Sequence, residues 1–172
     1  MAESVATTDD AKLRSALWSI TSGLYLLSLA SAQRLHLMTI SLVMQVAKQP
    51  RRLAMSIEDG AVSLEFVAPS APVGLVLLDA SQASLARKFA KPPVFDPSHT
   101  SANGVSVVRE AESGLAMPSE ALGMLIGRVQ SVTELGSHWL MTTSVDTLVA
   151  RQPPSEWPRV LSMSDTRMHY GG

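Results

Sequence analysis

Between Gly23 and Glu58 the chain alternates apolar runs with short polar breaks, and this spacing constrains its fold more than any other feature of its 172 residues. A glycine-led run, Leu24 to Ala30, is turned at Gln33-Arg34 into a second run, Leu37 to Val46. Pro50 ends that run, and Leu53 to Ile57 forms a third that stops at the turn signal Glu58-Asp59-Gly60. Short apolar runs bounded by such breaks read as strands. Partial alternation in the second run places Thr39 and Ser41 on one face and Met38, Ile40 and Leu42 on the other. Small hydroxyls where curved strands give way to loops can hydrogen-bond a phosphate or a flat heteroaromatic edge without filling its space.

The rest of the chain extends the pattern. Thr8 or Asp9 is a candidate cap for a helix in which Leu13, Ala16, Leu17 and Ile20 recur at helical spacing, with Gly23 as its close. Beyond Pro69 and Pro72, Gly74 to Leu78 reads as a strand, and Asp79 or Ser81 caps a helix over Gln82 to Ala90 that Pro92-Pro93 ends. The polar run Asp96 to Gly104 reads as a mobile or interface-borne excursion. From Leu122 strand character returns through Val129 and Val132, turns at Gly136-Ser137 and resumes over Trp139 to Ser144. Val160 to Met163, then Met168 to Tyr170, read as a last short strand and a tail. Many short strands with few helices predict a mainly β fold, a small barrel with an N-terminal and an inserted helix, with an α+β domain as the competing architecture. The chain has no Gly-x-Gly-x-x-Gly loop to support a doubly wound nucleotide fold.

Length suits one domain, read as a flexible lead over residues 1–10 and a folded unit over 11–172. Apolar residues make up 46% and charged residues 17%, so some apolar surface is expected to be hidden in a subunit interface. A net charge of −1 offers nothing global to nucleic acid or an anionic membrane. There are no cysteines, which excludes disulfides, thiolate ligands and a cysteine nucleophile and fits a cytoplasmic protein. The start Met1-Ala2-Glu3-Ser4 lacks a signal peptide's positive region, and the stretch Leu24 to Ala32 is far short of the ~20 residues that span a bilayer. Histidines 36, 99, 138 and 169 are dispersed, so no metal site is expected.

The order of the pieces now carries a resemblance. Thr21-Ser22-Gly23 before a strand, Met38-Thr39-Ile40-Ser41, a short strand after Pro50, Leu85-Ala86-Arg87-Lys88-Phe89-Ala90 and Gly136-Ser137-His138 before a strand together resemble the flavin reductase-like family of FMN-binding split barrels, over roughly residues 12–170. The resemblance implies a split barrel, a homodimer with flavin near its interface, and reduction of FMN or FAD by NADH or NADPH, often to supply a monooxygenase. It matches Thr39 and Ser41 to the family's hydroxyl segment beside the isoalloxazine ring, with the Ile40 backbone at the ring's pyrimidine edge. It matches the loop Ser56 to Ser63 to the stretch that receives the flavin phosphate, Phe89 to an aromatic residue ending the inserted helix, and His138 to a histidine on the nicotinamide or substrate side.

Two departures accompany the matches. The phosphate loop reads Glu58, Asp59, Gly60, Ala61, Val62 where the family has more Asn, Ser, Thr or Arg, and carboxylates beside a phosphate are unfavourable unless they point away. Ser137 stands where an aspartate usually precedes the histidine. The residues alone also allow plainer roles. Thr39 and Ser41 suit a strand in any case, His138 beside Trp139 suits an interface, Arg87-Lys88 suits a solvated helix face, and Glu110 and Glu112 suit the surface. A non-catalytic split barrel, an electron carrier or an interaction protein, is the alternative to the reductase.

Overall fold

The computed structural model describes residues 8–32 and 34–168. Helix α1 (Asp10–Leu17) starts where the Asp9 carboxylate accepts the Ala11 N–H at 3.0 Å and the Lys12 N–H at 3.3 Å, so Asp9 is the cap. The helix stops well before Gly23 and buries none of its residues. Leu17, Trp18 and Ile20 stay 55%, 52% and 69% exposed. Of the lead over residues 1–10, the first seven lie outside the described residues, as do Gln33 of the expected turn and His169 and Tyr170 of the expected tail.

Eight strands form one antiparallel sheet that curls into an open barrel: β1 (Tyr25–Ala30), β2 (Leu35–Ile40), β3 (Val43–Lys48), β4 (Arg51–Glu58), β5 (Pro72–Leu77), β9 (Gly123–Glu134), β10 (His138–Ser144) and β11 (Thr147–Ala150). The strand order is β2-β1-β5-β9-β10-β4-β3, with β11 also on β9. The mainly β fold with an N-terminal and an inserted helix is therefore what the strand spacing predicts. β1 is buried on both faces, which is why its sequence is a continuous apolar run and not an alternating one. Leu27 and Leu29 enter the barrel core with Ile40, Met55, Ile57 and Met141, while Leu26 and Leu24 enter a second core beneath the inserted helix. Ser28 is tolerated there because its hydroxyl donates to the Ala116 carbonyl at 2.7 Å and accepts the Ala116 N–H at 3.1 Å.

The expected single strand over Leu37 to Val46 is two strands, broken at Ser41-Leu42. β2 pairs with β1 at one end of the strand path and β3 pairs with β4 at the other, so the chain has to leave one edge and cross to the opposite one. It does so in a tight turn in which the Val43 N–H donates to the Ser41 carbonyl at 2.9 Å.

The inserted helix is a 3-10 turn over Ala80–Gln82 followed by α2 (Ala83–Lys88). Asp79 caps it by accepting the Ser81 N–H at 2.6 Å, and Gln82 reaches back to the Asp79 N–H at 2.9 Å. Instead of a plain excursion, Asp96 to Gly104 contains a turn organised by the Asp96 carboxylate, which accepts from Ser98, Thr100 and the Ser101 N–H. These bonds hold Asp96 well below the usual carboxylate range. The turn leads into a small sheet of β6 (Ser101–Ala102), β7 (Val105–Arg109) and β8 (Ala116–Pro118), which roofs the second core. At the far end Val160 and Ser162 make only isolated bridges to Asp79 and Gly23, so the expected last strand is a pair of pinned contacts. No helix among the described residues is long and apolar enough to cross a membrane.

Candidate functional site

Thr39 lies at the end of β2 with its side chain buried. Its hydroxyl donates to the Ala86 carbonyl at 2.6 Å, and its N–H donates to the Phe89 carbonyl at 3.0 Å. The last turn of α2 is thereby stapled to β2. Replacing Thr39 by valine would remove this bond and leave the Ala86 carbonyl with the Phe89 N–H at 3.1 Å as its partner, and a loss of about 0.5–1.5 kcal/mol in urea denaturation is expected. Thr39→Ser keeps the donor and is expected to retain most of that stability.

Four of the remaining expected residues share this neighbourhood. Ile40 points into the barrel core, and Ser41 is buried at the break between β2 and β3. Ser56 of β4 is half-buried and donates its N–H to the Leu42 carbonyl at 2.9 Å. Phe89 is fully enclosed in the second core, touching the group through its backbone carbonyl. The structure thus brings Thr39, Ile40, Ser41, Ser56 and Phe89 into one row across α2, the end of β2, the crossing and β4.

His138 sits at the adjoining corner, opposite Glu58 in the pairing of β10 with β4. Its Nδ1 is 3.0 Å from the Ser137 hydroxyl, which orients the ring. In the neighbouring turn, Gly60 takes a positive φ of 75°, a conformation that favours glycine. The Asp59 carboxylate accepts the Trp139 indole N–H at 2.8 Å, and the Asp59 N–H donates to the Ser137 carbonyl at 2.9 Å. One of the two loop carboxylates is thus occupied by a neutral donor from β10. The role of Trp139 left no mark in the sequence, because it follows from the β4–β10 register, which sets Trp139 opposite Ile57.

Ser63 falls in the 3-10 turn Val62–Phe66 and is fully buried, with no hydrogen-bond partner for its hydroxyl among the described residues. Thr143 of β10 is a second such hydroxyl, which sequence reading had not singled out.

A cavity of about 200 Å³ lies elsewhere, lined in part by Pro72, Glu110, Ser113, Gly127, Arg128 and Asp146, and includes none of the expected site residues. Glu110 in its wall is half-buried, and the Ser113 hydroxyl together with the Glu112 and Ser113 N–H groups holds its carboxyl down to about 2. Among the described residues no group of three or more His, Cys, Asp or Glu is placed to hold a metal ion.

The profile of the family described as "Flavin reductase like domain" matches residues 17–170. No curated protein matches the sequence. Among solved structures, the NADH:FAD oxidoreductase SgcE6 of Streptomyces globisporus C-1027 is 22% identical with a TM-score of 0.70, covering 94% of this chain and 91% of its own. The styrene monooxygenase flavin reductase of Pseudomonas putida S12 is 20% identical with a TM-score of 0.69, covering 91% and 94%. BorF, the flavin reductase component of a bacterial two-component tryptophan halogenase, is 22% identical with a TM-score of 0.69, covering 89% and 98%. At these identities the structures speak for the fold alone, whereas the profile covers nearly the whole chain: the protein belongs to the flavin reductase-like domain family.

Proposed function

We propose that the chain binds FMN or FAD at the row from Thr39 to Ser56 and reduces it with NADH or NADPH. The observation that carries the reading is the pair of hydroxyls at this end of the barrel, Ser41 at the crossing and Ser56 beside it, joined by the Ser56 N–H to the Leu42 carbonyl. Neutral hydroxyls suit a phosphate-bearing planar ring, and the Asp59 carboxylate is held on the Trp139 indole of β10. The residues therefore fit a flavin. When bound, the flavin would supply the hydride-accepting chemistry. Ser41 and Ser56 would hold it, joined by the enclosed Ser63 once its turn opens, with the Ile40 backbone at the ring edge and Thr39 and Phe89 keeping that row rigid from behind. His138, oriented by Ser137, would position the incoming nicotinamide through its other ring nitrogen.

Calorimetric titration with FMN and with FAD tests the binding; absence of heat for both up to about a millimolar would reject it. Anaerobic stopped-flow mixing with NADH or NADPH tests the reaction through bleaching of the bound flavin, and a tenfold or greater slowing is expected in His138→Ala, on the order of what a positioned group contributes. Bound flavin that neither donor reduces would favour the second reading, a non-catalytic flavin carrier. That reading is supported by the Thr39 hydroxyl and the Phe89 ring being used inside the fold.

The proposal extends to a homodimer that passes reduced flavin to a monooxygenase. Support for the dimer is exposed apolar surface, Leu17, Trp18 and Ile20 at and past the end of α1, Leu42 at the crossing, and Met44 and Val46 along the edge strand β3. Light scattering is expected to report twice the 18.4 kDa chain mass, and Met44→Glu is expected to shift it toward monomer. Support for the downstream enzyme is that the relatives are named as reductase components of a styrene monooxygenase and a tryptophan halogenase.

A further inference from the structure

His36 is a buried titratable side chain that the proposed reaction does not use. It lies in β2 at 5% exposure, and its ring stacks on Phe66 with centroids 5.4 Å apart and planes 23° from parallel. Phe66 is the last residue of the 3-10 turn Val62–Phe66, the turn that encloses Ser63. Arg34, two residues before His36, holds its guanidinium 4.8 Å from the centre of the same Phe66 ring and donates to the Glu65 carboxylate at 2.8 Å. The turn is therefore fastened to β2 by one aromatic ring gripped by an imidazole and a guanidinium, with a single exposed ion pair beside it.

We propose that His36, Phe66 and Arg34 form a pH-sensitive clasp on the segment Val62–Phe66, closed while His36 is neutral and loosened when it is protonated. The charged groups facing His36 are Arg34, just before its strand, and Glu65 from the turn packed on it. A proton on the buried His36 would place a second positive charge near the exposed Arg34, and the exposed Glu65 is already paired with Arg34. Burial, and then Arg34, lower the proton affinity of the imidazole, while Glu65 partly opposes them. When the segment opens, His36 reaches solvent and regains its ordinary affinity near ~6.5. The open form binds more protons than the closed one, so its population rises as pH falls through that value. Opening also brings the enclosed Ser63 hydroxyl within reach of water or an oxyanion.

The inference concerns the apoprotein and holds whether or not the flavin reading does. Hydrogen exchange of the amides of 62–66, corrected for the intrinsic effect of pH, tests it on the full chain between about pH 7.5 and pH 5. We expect their protection to fall by about tenfold or more across that range, while the amides of β5 and β9 change far less. His36→Phe keeps an aromatic partner for Phe66 without a titratable group, and is expected to remove the pH dependence. Phe66→Leu is expected to leave the segment weakly protected at both pH values. Equal protection of wild-type 62–66 at the two pH values, or an undiminished pH dependence in His36→Phe, would overturn the clasp.

Discussion

Phe89→Ala is expected to lower stability by about 3–5 kcal/mol, which for a domain of this size lowers Tm by on the order of 10 °C. The ring is fully enclosed among Leu24, Leu37, Leu85, Ala86 and Leu161, so truncation removes its transfer free energy and leaves a cavity in the second core. The same residue's carbonyl holds the Thr39 N–H, so the change also loosens the end of β2. Phe89→Leu keeps most of the volume and is expected to cost less than about 1.5 kcal/mol. Thermal unfolding followed beside a flavin titration separates the two roles open to this side chain. A variant that melts like wild type but binds flavin poorly would make Phe89 a cofactor contact and not a core residue.

Gly127→Ala is expected to cost about 3 kcal/mol or more, seen as a Tm lower by about 6–12 °C. Gly127 lies where β9 passes from pairing with β11 to pairing with β10 on the same edge. A Cβ there would land directly on the Ser144 carbonyl, at the point where the chain leaves β10 for β11. Backbone cannot turn aside as a side chain can, so the strands would have to separate. Gly60→Ala, in a turn with open space around it, meets no such atom and is expected to pay only for its positive φ, on the order of 1 kcal/mol. A Gly127→Ala variant as stable as wild type would show that this crossing can widen freely.

Part of the architecture was legible in the residue order because its causes are local. Apolar runs ended by glycine and proline marked β1, β4 and β5, and aspartates capped the helices at Asp9 and Asp79. β7, β8 and β11 escaped notice because they are short, and β7 and β11 are largely exposed, so neither a long apolar run nor a clear alternation announces them. The site shows the same division. Its hydroxyls could be found in the sequence, and their partners could not. Thr39 meets Ala86 across 47 positions and Trp139 meets Asp59 across 80, so no local pattern reports either contact.

By itself, then, the sequence determined the β-rich composition of elements, their main boundaries and the family, since each depends on the residue types within a few positions and on the order in which they recur. Only the tertiary structure decided that Leu37 to Val46 divides at Ser41-Leu42, that the Thr39 hydroxyl bonds α2, that an indole donates to the acidic loop, and that Ser63 is buried in a turn whose Phe66 ring stacks on His36. Each of these depends on which strands become neighbours and in what register, and that choice is made by burying two cores at once, a condition on the whole chain that no single segment carries.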